Sequence, residues 1–194
     1  KQSGWPDLFH PRGILANPFP NPLADHPPGA VPTHRLTAGI RPDKPQSAMG
    51  HAITIHNFLR LQAVQQVPGV QAYACSGTPV DCVNLALLKV MPKPPAIVVS
   101  GINKGVNLGD DVLYSGTVSA AMEGTILGIP SIAVSQEGRE TFRFPVAADY
   151  AARIVRLVLE QGLPDETLLN VNVPNRALRS IKGVRVTCLS RRRF

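Results

Sequence analysis

Residues 96–119 decide the fold of this chain and read AIVVSGINKGVNLGDDVLYSGTVS. An apolar run at 96–99 stops at a loop of Gly, Asn and Asp, and a small-residue turn at 115–117 then opens a helix-like segment. Glycine lets a backbone approach a ligand closely, and the first N–H groups and the dipole of a helix favour negative charge. A buried strand, a polar glycine loop and a helix start therefore predict a phosphate site.

The same loop offers hard oxygen ligands for a cation. They are two amides, two carboxylates and one hydroxyl, from Asn103, Asn107, Asp110, Asp111 and Ser115. Such groups suit Mg²⁺, Mn²⁺ or Ca²⁺ better than a metal that seeks thiolates. The loop thus predicts a divalent cation beside the phosphate, with Asp110 and Asp111 either as metal ligands or as part of the loop scaffold.

Strands alternate with helices from residue 70 onward. The strands are predicted at residues 70–75, 96–100, 131–135, 168–173 and 183–187. The helices are predicted at residues 79–91, 118–127 and 145–161. This alternation predicts right-handed βαβ units and an α/β fold with three αβα layers around a doubly wound, mostly parallel, Rossmann-like sheet. Ligands bind beyond the carboxyl ends of the strands in such folds, where the glycine loop lies.

Three finer expectations follow from local patterns. Residues 51–66 are ambiguous, because their alternation is typical of a strand, a hairpin or an arm over the site. Asp81 lies three residues after a Ser/Thr-type N-cap position and is expected to cap its helix rather than to catalyse. In the last helix, Arg153 and Arg156 are expected to face outward.

The motifs resemble those of the SurE family of survival proteins, which are metal-dependent 5′/3′-nucleotidases. The resemblance rests on SGIN-x-G-x-N-x-G-x-D and YSGTV-x-AAMEG. Residues 43–48 are similar to the family's PD…SG loop, and residues 77–83 are similar to its GTPxDCV segment. The resemblance covers roughly residues 42–190. It implies a SurE-like fold and an acid-phosphatase-type hydrolase that converts nucleoside 5′/3′-monophosphates into nucleoside and phosphate.

The resemblance also implies a metal site. Ser47 and Asn103 match two of the family's four metal ligands, and the cofactor implied is one Mg²⁺ or Mn²⁺, or Ca²⁺, per subunit. The other two family ligands are adjacent aspartates in an N-terminal Asn-Asp-Asp-Gly loop, and residues 1–41 hold no adjacent Asp pair. A neutral amide and a hydroxyl alone leave the cation charge uncompensated. From the residues alone, Asn103 could instead be a turn-forming residue after a strand.

Five residues are expected to bind phosphate or substrate. By resemblance, the phosphate cradle consists of Ser115, Gly116 and Thr117. The loop that leads to it is expected to be shaped by Asn107 and Gly105. A plain N-cap role for Ser115 is compatible with phosphate binding, because both use the same helix N–H groups. No catalytic acid or base is assigned.

The N-terminal part of the chain differs in character from the rest. Ten of the nineteen prolines lie within residues 1–45. Proline removes ladder donors and breaks helices, so neither a central strand nor a helix is expected there. We therefore divide the chain into a Pro-rich, atypical segment at 1–41 and a SurE-like nucleotidase domain at 42–194, which the resemblance implies to be truncated at its C-terminus. The segment is a diverged or frameshifted sequence, or an ordered Pro-rich cap.

Two functions from different classes remain open at this point. The first is a SurE-type phosphomonoesterase. The second is a catalytically inactive fragment or pseudo-enzyme that retains only the phosphate-binding loop, a reading favoured by the missing Asp pair. A dinucleotide-binding oxidoreductase is excluded, because no GxGxxG follows a first strand.

Charge and hydropathy limit the partners. The net charge of +7 is concentrated at 139–194, with eleven Lys/Arg against five Asp/Glu, whereas residues 46–138 carry four against five. Aromatic residues are not interleaved with the basic ones, so a nucleic-acid polymer is not expected as a partner. No run of about 18 apolar residues predicts a membrane span. The expected partner is a nucleoside monophosphate.

Cysteine usage predicts the compartment. Cys75, Cys82 and Cys188 are odd in number and lack CxxC spacing, so buried free thiols are expected. We therefore expect a cytoplasmic protein. The resemblance implies a homodimer or homotetramer for an intact family member.

Overall fold

The computed structural model describes residues 38–64 and 70–190. In these residues, the strands are β1 Ala38–Pro42, β2 Leu61–Ala63, β3 Gln71–Cys75, β4 Val98–Lys104, β5 Ser131–Gln136 and β6 Leu168–Val173. The helices are α1 Pro79–Leu85, α2 Gly116–Ile126 and α3 Phe144–Gln161. Shorter helical turns are the π-type turn Ala86–Val90 and the 3₁₀ turns Gly109–Leu113 and Leu178–Ser180. Residues 1–37, which hold most of the Pro-rich segment predicted at 1–41, lie outside the described residues. Its last residues, 38–41, belong to β1 and pair with β3, so regular structure begins inside that segment.

The strands form two three-stranded sheets, in the orders β1-β3-β2 and β4-β5-β6. β1 is parallel to β3, and β4, β5 and β6 are parallel to one another. Only β2 pairs in the antiparallel sense among the described strands. The predicted α/β fold with a mostly parallel sheet is confirmed, although the described strands are divided between two sheets. No helix in the described part of the chain is both long and apolar enough to cross a membrane.

The core lies on both faces of β5, all six residues of which are buried. Ile132 packs against Ile154 of α3 on one face. Ala133 packs against Val118 and Ala121 of α2 on the other face. A strand covered by helices on both sides is the expected centre of a parallel sheet, and it explains why the apolar run is uninterrupted.

β4 is longer than predicted and includes the first residues of the glycine loop. The strand runs to Lys104, with a register shift between Ser100 and Asn103. Gly101 makes this irregularity possible, because its φ is +128° and a Cβ there would clash with the carbonyl oxygen of Val134. Sequence reasoning placed the strand end at the first polar residue, whereas pairing with β5 continues past it.

The first helix is shorter than predicted. Its α-helical part ends at Leu85, and the π-type turn continues it to Val90. Met91 donates to Ala86 O across five residues, and the φ and ψ of Met91 are extended. Pro92 follows Met91 and disfavours helical geometry for the residue before it, which explains the end of the segment.

The predicted strand at 183–187 is wrong. Val184 packs against the cluster around Tyr150, but no residue from 181 to 190 pairs in a sheet. High β-propensity alone does not make a strand, because a strand also needs backbone pairing with a sheet edge. As a result Cys188 is exposed, contrary to expectation, whereas Cys75 and Cys82 are buried free thiols as predicted.

Residues 51–60 form no strand either, and only Leu61–Ala63 pairs with β3. The two arginines of α3 also differ from expectation. Arg153 pairs with Asp149 at 2.8 Å and keeps 13% of its side chain exposed. Arg156 lines a large cleft instead of facing outward.

Candidate phosphate site

Residues that follow β1, end β4 and begin α2 line the same cleft. Ser47 follows β1, Asn103 lies near the end of β4, and Ser115, Gly116 and Thr117 lie at the start of α2. These are the carboxyl ends of parallel strands, where ligands bind in α/β folds. The structure thus brings both predicted metal ligands and the three predicted cradle residues to the same cleft.

The start of α2 is built to receive an anion. Ser115 is its N-cap, with Oγ accepting from Val118 N at 3.2 Å and the carbonyl accepting from Ser119 N at 2.9 Å. The N–H groups of Gly116 and Thr117 have no acceptor within the helix, because the first turn of any helix lacks one. They are available to phosphate oxygens.

Gly116 is the contact point between three segments. A Cβ on this residue would lie 2.9 Å from Pro79 Cγ and 3.3 Å from Gln46 O. The starts of α1 and α2 and the loop after β1 therefore meet at van der Waals distance. Because Gln46 is adjacent to Ser47, this packing brings the loop with the predicted metal ligand to the phosphate cradle.

Asn103 is oriented by its own loop. Its Nδ2 donates to Gly105 O at 2.9 Å, which leaves Oδ1 as the atom suited to bind a cation. Gly105 has a φ of +96° and donates through its N–H to Gln136 O at 2.8 Å. Gly105 is not among the described residues that line the cleft, and its part in substrate binding stays a prediction.

Asn107 lines the cleft but is only 7% exposed. Its N–H donates to Asn172 Oδ1 at 2.8 Å, and its Nδ2 donates to Ser135 Oγ at 2.6 Å. Its carbonyl accepts from Asn170 at 2.9 Å and from Asn172 at 3.1 Å. These bonds fix the loop to β5 and β6. Sequence reasoning missed the two β6 asparagines, although polar residues alternating within an apolar strand are a visible signal.

A second set of hydrogen bonds holds the segment that follows Ser47 against the rest of the domain. His51 Nε2 lies 2.6 Å from Glu123 Oε2, and Asn84 donates to Glu123 Oε1 at 2.9 Å. Gly50 N donates to Tyr114 O at 3.0 Å. Sequence reasoning assigns no partner to His51, because its contact spans 72 positions and has no local signal.

Asp81 caps α1, as predicted. Its carboxylate accepts from Thr78 N at 2.8 Å and its own N–H donates to Thr78 Oγ1, so the capping box is complete. Thr54 adds bonds from its N–H and its hydroxyl. Burial raises the pKa of this carboxyl, but the hydrogen bonds from Thr54 and Thr78 outweigh burial and hold the pKa below its usual value.

The described donors alone do not fit a divalent cation. Between residues 38–64 and 70–190, no group of three or more His, Cys, Asp or Glu side chains is placed to hold a metal. Ser47 and Asn103 are neutral donors, and Asp111 is a carboxylate that lines the same cleft. The Nζ of the neighbouring Lys104 lies 5.9 Å from the centre of the ring of Phe142, a residue that does not line the cleft. Carboxylates usually balance the charge of Mg²⁺ or Mn²⁺ in proteins.

Comparisons with known proteins agree with the motifs. The family model described as Survival protein SurE matches residues 34–194. A 5′-nucleotidase SurE from Gloeobacter violaceus is 52% identical over 163 residues, which are 83% of this chain and 62% of the relative. One from Caldanaerobacter subterraneus is 47% identical over 153 residues, which are 79% of this chain and 60% of the relative.

A solved structure is similar as well. The crystal structure of SurE protein from Aquifex aeolicus has a TM-score of 0.71 and 45% sequence identity, and covers 79% of this chain and 61% of that one. The chain spans about three fifths of the length of the relatives it matches.

Proposed function

Because this chain belongs to the SurE family, we propose that its cleft is that of a nucleotidase, which binds nucleoside 5′- and 3′-monophosphates and hydrolyses them to nucleoside and phosphate when the family's N-terminal Asp pair is also present. One observation carries the proposal: the start of α2, Asn103 and Ser47 line one cleft. The names of the relatives, 5′-nucleotidase SurE, support the substrate class.

The chain's own groups would neutralise and orient the phosphate. The N–H groups of Gly116 and Thr117 would donate to its oxygens, and the helix dipole of α2 favours its charge. Asn107 would act through the loop, because its hydrogen bonds fix the segment that carries Asn103.

The reaction also implies one divalent cation per subunit, Mg²⁺ or Mn²⁺, or Ca²⁺. Such an ion polarises a phosphoryl oxygen and lowers the pKa of bound water. Ser47 Oγ and Asn103 Oδ1 would be its ligands from the described residues. Since these donors are neutral, we assign no step of the reaction to the ion.

Phosphate release tests the function. We would measure release from 5′-AMP and 3′-AMP across Mg²⁺ and Mn²⁺ titrations, for this chain and for a chain that carries the family's N-terminal strand and Asn-Asp-Asp-Gly loop. Little release is expected from the first, and metal-dependent release from the second. Asn103→Ala in the second chain should weaken metal binding and lower turnover, with Asp110→Asn as a milder comparison.

Two outcomes would contradict this assignment. If the restored chain binds AMP but releases no phosphate, the cleft is a binding module and not an active site. If this chain itself turns over strongly with metal, a carboxylate in its own loop, with Asp111 first, replaces the family's Asp pair.

We also propose that the protein is cytoplasmic and assembles as a homodimer or homotetramer. Three free cysteines, Cys75, Cys82 and Cys188, suit a reducing compartment. Light scattering coupled to size-exclusion chromatography measures the assembly, and a monomer at micromolar concentration would contradict it.

A further inference from the structure

The loop that carries Ser47 is held at both of its ends by backbone hydrogen bonds. Before the loop, Asp43 N donates to a carbonyl oxygen of β3 at 2.7 Å, and after it Gly50 N donates to Tyr114 O at 3.0 Å. We call residues 44–49, which lie between these two bonds, the Ser47 loop. They form no hydrogen bond with other residues in the described part of the chain. The position of the loop therefore depends mainly on the contacts at its ends.

The turn inside the Ser47 loop is strained. Ala48, directly after Ser47, has a φ of +56°, a left-handed conformation that a side chain makes unfavourable. Residues persist in such conformations where the surrounding structure holds them there. The contacts at the ends of the loop must therefore hold this turn, and with it the backbone of Ser47.

The side-chain contact directly after the loop is made with α2. His51 is next to Gly50, and its Nε2 lies 2.6 Å from Glu123 Oε2. An ionised carboxylate only accepts hydrogen bonds, so Nε2 is the donor. Hydrogen bonds to a carboxylate are stronger than those between neutral groups. This bond therefore holds the end of the Ser47 loop more firmly than the backbone bond of Gly50 does alone.

Glu123 is itself held in one orientation. Its second oxygen, Oε1, accepts from Asn84 Nδ2 of α1 at 2.9 Å. Only 12% of the Glu123 side chain is exposed, against 29% for His51. Each carboxylate oxygen thus has its own donor, and the pair of bonds joins α1, α2 and the segment after the loop.

The helix that carries Glu123 also carries the predicted phosphate cradle. Ser115 caps α2, and Glu123 lies about two turns further along the same helix. The Ser47 loop borders this cradle, because a Cβ on Gly116 would lie 3.3 Å from Gln46 O. The loop is therefore fixed to α2 twice, by packing at Gly116 and through His51 at Glu123.

We propose that Glu123 is a positioning residue for the candidate phosphate site, because through His51 it holds the Ser47 loop beside the start of α2. The proposal rests on the proposed function, in which this loop and the start of α2 serve one site. Glu123 acts without touching the substrate. Its loss would lower the fraction of molecules whose loop is in the position that binding requires.

Residue-resolved hydrogen exchange on the full chain tests the proposal. The amide of Gly50 exchanges when its bond to Tyr114 opens, so its rate reports the opening of the loop. His51→Ala removes the donor to Glu123, and exchange at Gly50 should accelerate by about tenfold or more. The amide of Ser180, which lies in a separate turn, should keep its exchange rate.

Matched variants identify the hydrogen bond as the cause. His51→Gln places an amide N–H near the position of Nε2 and should keep most of the protection at Gly50. Glu123→Gln should lose protection, because its amide offers one acceptor to the two donors His51 and Asn84. His56→Ala is the control, since His56 is an exposed histidine further along the same segment.

Two further measurements separate positioning from general stability. Ala48→Gly, added to His51→Ala, should recover part of the protection at Gly50, because glycine adopts a left-handed turn at little cost. Calorimetry with AMP should show binding that is weaker by about threefold or more in His51→Ala, because fewer molecules hold the loop in place. The His51→Gln variant should bind AMP like the unmodified chain.

Three results would overturn the proposal. The first is unchanged exchange at Gly50 in His51→Ala. The second is an equal acceleration in His51→Gln, because the hydrogen bond would then not be the cause. The third is a loosened loop with unchanged AMP affinity, because the position of the loop would then not serve the site. If the unmodified chain does not bind AMP, the proposed function fails, whereas exchange at Gly50 still decides whether Glu123 holds the loop.

Discussion

Asp81 shows how much one side chain does in this molecule. Its two oxygens accept from Thr78 N, Thr54 N and Thr54 Oγ1, so a single carboxylate joins α1 to the segment at 51–60. The capping motif was predictable, because Thr and Asp three positions apart are a local signal. Thr54 was not, because it lies 27 positions from Asp81 and nothing in the sequence pairs them.

Asp81→Asn should lower the free energy of unfolding at pH 7 by about 1–3 kcal/mol, because an amide N–H₂ would face backbone and hydroxyl donors. The folded-state pKa of Asp81 is lowered, so its contribution is present above the unfolded pKa and is lost as pH falls through the folded pKa. The difference between the two proteins should stay constant from pH 7 to about 4 and narrow below that. Urea denaturation at several pH values measures it, and a difference that grows with acid would contradict the assignment.

Asn172 is the second residue whose role depends on distant contacts. Asn172→Ala removes two hydrogen bonds to Asn107, whereas Asn170→Ala removes one. We expect losses of stability of about 1–3 kcal/mol, larger for Asn172, and faster amide exchange at Asn107. Denaturation and hydrogen exchange on both variants check this ranking. Equal and negligible effects would show that the loop does not need β6.

At the scale of elements, helices and strands were predicted correctly where the sequence has both a clear periodicity and a clear end signal. The strand at 168–173 was predicted with its observed bounds, and α3 begins one residue earlier than predicted. Both have clear periodicity and a clear stop. The segment predicted as a strand at 183–187 has the periodicity but no backbone pairing, and no local pattern reveals whether a segment will pair. The length of β4 likewise depends on pairing with β5 rather than on its own residues.

The location of the candidate site was predicted from the sequence, but some of its contacts were not. Ser47, Asn103 and the start of α2 were expected in one cleft from motif resemblance, and the structure places them there. Their chemical roles stay predictions. The hydrogen bond between His51 and Glu123 had no sequence signal, since it joins residues 72 positions apart.

Gly116→Ala tests the close approach at the start of α2. The new Cβ would lie 2.9 Å from Pro79 Cγ, so one of the three segments must move. We expect a loss of about 1–3 kcal/mol in stability and weaker phosphate binding by calorimetry. Gly39→Ala is the matched control, because a Cβ there meets nothing within 4 Å. If both variants behave alike, the packing at Gly116 does not matter.

At the scale of the whole molecule, the two described sheets differ in burial. β5 is buried along its whole length, whereas β1 has no buried residue. Amides of β5 should therefore exchange only through global unfolding, and those of β1 through smaller openings. Native-state hydrogen exchange across a denaturant series measures both. Equal opening free energies for Val134 and Arg41 would show that the sheets unfold as one unit.

The hydrogen bonds of Asn107 have a consequence for the order of events during synthesis. The loop is held by side chains that emerge from the ribosome 63 and 65 residues later. Contacts between distant positions form late, because the intervening chain must first be closed into a loop. A nascent chain that ends before β6 would therefore carry every residue of the phosphate loop without the anchor that shapes it. The site matures only after residue 172 has left the exit tunnel.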